Sequence, residues 1–202
     1  MHDFADRIVS DVTLTPDPPR RLPASGNIAL AASAVIQAVM GVEFVLNGLN
    51  KFADPHYFAN FKTFVTTSPG SHRGIFAPIL QALVIPHADF FALAARAIEL
   101  IAGLILLVGA AEIARRRLSG RLGKPHAYEP LVALASAAAG LAVAGLTLGI
   151  FLTQGGAFIG VNPARAFGSS IPVELLLVPF GLAIAWLELG RFSAIRHSRR
   201  HV

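Results

Sequence analysis

From Leu131 to Thr153 the chain runs without a charged residue, and three further stretches, Asn27 to Leu49, His87 to Ala114 and Ile171 to Gly190, are nearly as apolar over a similar length. A helix rises about 1.5 Å per residue, so about twenty such residues cross a hydrocarbon core about 30 Å thick. Backbone N–H and C=O groups find no partner in lipid, and a continuous apolar run satisfies them by forming its own helix. Four membrane spans are therefore expected. The whole composition agrees: 54% of the 202 residues are hydrophobic and 14% charged, against about a quarter charged in a soluble domain. The first run follows a polar, Pro-rich tail and is longer than a leader's apolar region, so it is read as a retained span. The expected organisation is one membrane domain over residues 27–190, preceded by a tail over 1–26 and followed by a basic tail over 191–202.

The seventeen Lys and Arg residues do not form one surface, which argues against nucleic acid, but they do sort by side. Arg7, Arg20 and Arg21, then Arg115, Arg116, Arg117, Arg121 and Lys124, then Arg191, Arg196, Arg199 and Arg200 share one side of a four-span chain. Lys51, Lys62, Arg73 and Arg165 fall on the other, and Arg96 lies inside a span. Twelve against four places both termini in the cytoplasm of a bacterial cytoplasmic-membrane protein by the positive-inside rule. The absence of cysteine excludes disulfides, thiolate metal sites and cysteine-bound intermediates. Chemistry here falls to His, carboxylates, Arg and Lys, or to a partner.

The connection from Lys51 to Pro86 is too long for a turn and too apolar for a linker. Phe58, Phe61, Phe64 and Val65 recur at helical spacing, as do Phe76, Ile79, Leu80 and Leu83 after the break at Ser68-Pro69-Gly70. Two short amphipathic helices in the outer interface are expected, either as an anchor among headgroups or as a lid over a site. In the third span Ser136, Gly140, Gly145 and Gly149 allow a neighbouring helix to approach closely, so core packing is its expected role. The fold class is an all-α membrane protein: a four-transmembrane-helix bundle with short interfacial helices in the first outer connection.

Ionisable residues inside the spans carry the most information, because a charge at the bilayer centre costs about 2.5 kcal/mol or more. Glu43 lies about two turns from the outer end of the first span, and Arg96 and Glu99 about two to three turns below the outer end of the second. They reach similar depth, and Arg96 is expected within ion-pair reach of Glu43 or Glu99. Asn47, Asn50 and Lys51 continue the polar line to the surface. The cluster is either a chemical site or a pair that fixes helix register. Glu174 and Glu188 sit near span ends, where they are expected to reach water or headgroups. His56, His72 and His87 have no compact ligand spacing, so no metal is expected, and His197 and His201 belong to a basic tail facing anionic lipid. Asn162-Pro163-Ala164-Arg165 is similar to the aquaporin motif, which admits a small-solute channel as a remote alternative, and it equally reads as a helix start.

Two blocks resemble the DoxX/DoxD family of small four-helix membrane proteins: Gly41-Val42-Glu43-Phe44-Val45-Leu46-Asn47-Gly48-Leu49-Asn50-Lys51-Phe52, and the stretch from Pro86 to Gly109 with its Ile98-Glu99-Leu100-Ile101-Ala102-Gly103-Leu104 run. The resemblance implies membrane redox chemistry of the thiosulfate:quinone oxidoreductase type, in which thiosulfate becomes tetrathionate and two electrons pass to quinone. It puts Glu43, Asn47, Lys51 and Glu99 on motif positions, while Arg96 enters through its depth alone. Glu43, Arg96 and Glu99 are the expected catalytic groups, Asn47, Asn50 and Lys51 the substrate-binding ones, and quinone a diffusible substrate. The family's enzyme works with a second subunit for which this chain has no room, so a non-catalytic membrane scaffold or partner of a redox or stress-response complex is the alternative.

Overall fold

The computed structural model describes residues 24–73, 76–118, 127–155 and 171–198, and every described element is helical. Four helices are long and apolar enough to cross a membrane: α1 (Ala24–Ala53), α5 (Ala88–Leu118), α6 (Glu129–Thr153) and α7 (Val173–Ser198). Between α1 and α5 come α2 (Tyr57–Thr67), the single turn α3 (Pro69–His72) and α4 (Ala77–Ile79), which continues as a π-helix over Leu80–Val84. The expected pair of short helices is thus present. Both α1 and α7 extend beyond the apolar runs, α1 carrying Lys51 within its last turn and α7 continuing through Arg191 and Arg196.

The local breaks have simple causes. Ser68 precedes Pro69 and takes an extended conformation (φ −66°, ψ 144°), which ends α2 and lets Pro69 open α3. At the corner between α1 and α2, Asp54 accepts hydrogen bonds from the His56 backbone N–H (2.8 Å) and the Asn60 amide (3.0 Å). That corner fixes how α2 folds back toward α5.

Helix α1 packs most closely on α5, and α6 on α7. Glycine decides both pairings. A Cβ on Gly140 would stand 2.6 Å from the Gly181 carbonyl oxygen, and one on Gly181 equally close to that of Gly140. A Cβ on Gly41 would lie 3.0 Å from the Gly103 carbonyl, with the reciprocal distance also 3.0 Å. Backbones in lipid gain by this close approach, since apolar side chains lose nothing by facing acyl chains. By contrast, Gly145 and Gly149 face open space, so the expected packing role holds for Gly140 and not for them. The two pairs meet over a core of Met40, Phe44, Ala102, Leu106, Ala139, Val143 and Ile184, drawn from all four long helices. α3 seats Gly70 against the Leu152 and Thr153 carbonyls at the end of α6, tying the short helices down as a roof over one end of the bundle.

Candidate functional site at the roofed end

The last turn of α1 and the third and fourth turns of α5 meet beneath α2. Lys51 Nζ donates to Glu99 Oε2 at 2.5 Å, with the Lys51 side chain 28% exposed and that of Glu99 4%. Arg96, one turn nearer the roof on α5, forms no ion pair with Glu43 or Glu99, which corrects the expectation from depth. Its guanidinium carbon lies 4.5 Å from the Phe52 ring centre, 4.6 Å from Phe58 and 6.0 Å from Tyr57, held by aromatic faces from α1 and α2. Such contacts contribute about 0.5 to 2 kcal/mol each, more as water is excluded. The physical reason for the change of partner is helix register: with Gly48 level with Leu100, α1 presents Lys51 to Glu99 and Phe52 to Arg96, and Glu43 lies about two turns further down.

Tyr57 completes the arrangement. It is buried at the start of α2, and its ring stacks edge-on with Phe58 at 6.0 Å and tilted with Phe61 at 6.2 Å. Burial first, and then the negative charge of Glu99, push its phenol up to about 12, with Arg96 acting in the opposite sense. At neutral pH it is therefore a protonated donor. Neither the Tyr57 hydroxyl nor Arg96 Nε has a hydrogen-bond partner among the described residues, although both atoms are buried. Unmatched buried donors are costly, about 1–3 kcal/mol each, and two of them stand in one cluster here.

The remaining expected residues stand elsewhere. Glu43 is exposed on α1 and accepts a hydrogen bond from the Asn47 amide at 3.0 Å; Asn50 is exposed as well. None of the three joins the Lys51–Glu99 pair among the described contacts. The expected shared depth is corrected too: Glu99 meets Lys51, about 12 Å from Glu43 along α1.

A second polar tier, absent from the sequence reading, lies about 21 Å from Lys51 along α1. Glu188 is fully buried and accepts from Ser33 Oγ and Gln37 Nε2, both 2.9 Å from Oε1, and from Arg191 Nη1, 2.7 Å from Oε2. This is a correction: Glu188 does not reach water or headgroups but bolts α7 to α1. Its signals in sequence are the Ser33/Gln37 pair at i, i+4 and the Glu188/Arg191 pair at i, i+3. Nearby at the same end, Arg115 makes a two-point contact with Glu112 (2.6 and 3.0 Å), and Arg116 Nε stands 3.0 Å from buried Glu129 Oε1, at the distance but not the angle of a hydrogen bond. At the roofed end Glu174 accepts from Gln154 at 3.2 Å. His72 Nε2 is 2.8 Å from the Thr66 carbonyl. The Asn162-Pro163-Ala164-Arg165 stretch, most of the 115–124 connection, and both chain ends, with His201, lie outside the described residues.

Fold and composition define a four-helix integral membrane protein. No protein-family model, curated protein or solved structure matches the chain.

Proposed function

We propose that this chain is a DoxX/DoxD-like membrane subunit that binds a quinone headgroup at the roofed end, beneath α2. The observation that carries the reading is the pair of buried, unmatched donors, Tyr57 Oη and Arg96 Nε, set beside the Lys51–Glu99 ion pair. A quinone headgroup is flat, apolar on its faces and carries two acceptor oxygens, which suits aromatic walls from Phe52 and Phe58 with donors between them. The quinone supplies a couple that takes up two electrons and two protons. Tyr57 and Arg96 orient its oxygens, Glu99 delivers and collects a proton, and Lys51 holds Glu99 in place between turnovers. The donor implied by the sequence resemblance is thiosulfate: two thiosulfate ions join through a sulfur–sulfur bond as tetrathionate, releasing the two electrons that reduce the quinone, and a partner subunit would present them. The charge asymmetry puts the termini in the cytoplasm of a bacterial cell, so the roofed end faces outward.

The scaffold alternative relies on free basic groups at the opposite end. In the described part of that end Arg115, Arg116 and Arg191 turn to Glu112, Glu129 and Glu188 of the same chain, while Arg196 is exposed over the Phe192 ring. The test is extraction of quinone from protein purified in mild detergent, beside thiosulfate-dependent quinone reduction in membranes containing any natural partner. Wild type should retain quinone, Tyr57→Phe and Arg96→Leu should lose most of it, and Glu99→Gln should bind but turn over slowly. Absence of quinone from wild type, together with full turnover per folded molecule in Glu99→Gln, would overturn the proposal.

A further inference from the structure

The two unmatched donors of the roofed end belong to different elements: Arg96 is carried by α5, and Tyr57, with its neighbour Phe58, by the first turn of α2. Their placement over Arg96 therefore depends on how α2 starts. His56, the residue before α2, makes no side-chain hydrogen bond to the helix start. Asp54 supplies what His56 lacks. Its Oδ1 accepts from the His56 backbone N–H at 2.8 Å, its Oδ2 from the Asn60 amide at 3.0 Å, and its carbonyl oxygen from the Tyr57 N–H at 3.3 Å. The Asn60 N–H donates in turn to the His56 carbonyl at 2.9 Å, which closes the first turn of α2. Asp54 is half-buried and Asn60 exposed, and neither pairs with Lys51 or Arg96 among the described residues.

We infer that Asp54 is a positioning residue for the roofed site: by tethering both ends of the first turn of α2 it sets Tyr57 and Phe58 over Arg96, and through them the affinity for the headgroup. The ligand in this inference rests on the quinone reading; the residue rests on the corner geometry. Phe52 from the last turn of α1 and Phe58 from the first turn of α2 take the Arg96 guanidinium at 4.5 and 4.6 Å, so the corner between them sets the spacing of the two aromatic walls. Both oxygens of the Asp54 carboxylate are in use there. Without them the start of α2 keeps only the longer backbone bond from Tyr57. The far end of α2 is fixed separately, where Ser71 Oγ donates to the Val65 carbonyl and His72 Nε2 meets that of Thr66. Loss of Asp54 therefore acts on the end of α2 that carries Tyr57.

The test compares wild type, Asp54→Ala and Asp54→Asn in mild detergent. Asparagine is uncharged like alanine, yet it still accepts from the His56 N–H and can donate to the amide oxygen of Asn60, so it separates the tether from the charge. In Asp54→Ala the Tyr57 phenolate midpoint, read as absorbance minus that of the same protein with Tyr57→Phe, should fall from about 12 toward the ordinary 10. Quinone retention should weaken about tenfold, the scale of a lost helix-start cap and one further side-chain bond. The helical melt should stay close to that of wild type, because the four spans do not pass through the corner, and Asp54→Asn should restore both midpoint and retention. An unchanged midpoint in Asp54→Ala, unchanged retention in a wild type that holds quinone, or no restoration by Asp54→Asn would overturn the inference. A wild type that holds no quinone would instead overturn the ligand reading, and the phenolate comparison would still decide whether Asp54 places Tyr57.

Discussion

Removing Lys51 should cost far more than removing its partner Glu99, and the structure sets the asymmetry. The Glu99 side chain is 4% exposed and that of Lys51 28%. Lys51→Met strands a carboxylate that cannot reach water, and breaking a buried pair in this way costs about 3 to 5 kcal/mol. The lower part of that range applies, because the space vacated by a partly exposed lysine admits water. Glu99→Leu instead strands a long, flexible ammonium at the end of α1, which swings to the interface, so a loss of only about 1 to 2 kcal/mol is expected. The double variant should resemble Glu99→Leu and be more stable than Lys51→Met, since no buried charge is left alone. For a chain of this size 1 kcal/mol is about 2 to 4 °C in Tm, so Lys51→Met should melt about 6 to 12 °C below wild type and Glu99→Leu about 2 to 8 °C below. Circular dichroism at the helix band, followed on heating in one detergent, measures all four proteins. Equal melting of Lys51→Met and wild type, or a double variant no better than Lys51→Met, would refute the coupling.

At the opposite end Arg191→Met should be the more damaging still, by about 3 to 5 kcal/mol, because Glu188 and Arg191 are both buried and no water replaces the lost partner; the same melt checks it, and a smaller drop than for Lys51→Met would contradict it. Gly140→Ala should destabilise by about 1 to 3 kcal/mol through overpacking against the Gly181 carbonyl, while Gly145→Ala, facing open space, should be neutral or slightly stabilising. Tyr57 should remain a phenol in the folded protein until about pH 12, readable as phenolate absorbance in wild type minus Tyr57→Phe. A native value raised above the ordinary 10 means the folded state binds the proton more tightly, so this contribution to stability is complete below about pH 10 and disappears as pH rises toward 12. A phenolate midpoint near 10 would show that Tyr57 is not buried against Glu99.

The spans were legible because hydropathy and length are additive along the chain, and in lipid an apolar run satisfies its backbone as helix whatever its neighbours do. The short roof helices were legible for a related reason, with Phe58, Phe61, Phe64 and Val65 in helical phase and Pro69 fixing the break. Relative depth was not: the rise per residue suggests one level for Glu43, Arg96 and Glu99, yet Glu99 meets Lys51 and Arg96 meets Phe52, about 12 Å or more from Glu43 along α1. Rotation was hidden as well. Which side of α1 meets α5 depends on small-residue contacts, Gly41 with Gly103 and Gly48 with Leu100, made by residues far apart in sequence. Those contacts turned Lys51 toward Glu99, gave Arg96 to Phe52 and Phe58, turned Glu43 away, and brought Ser33 and Gln37 to Glu188. A sequence orders groups along each helix, whereas only packing between helices decides which groups share a level and which of them face one another.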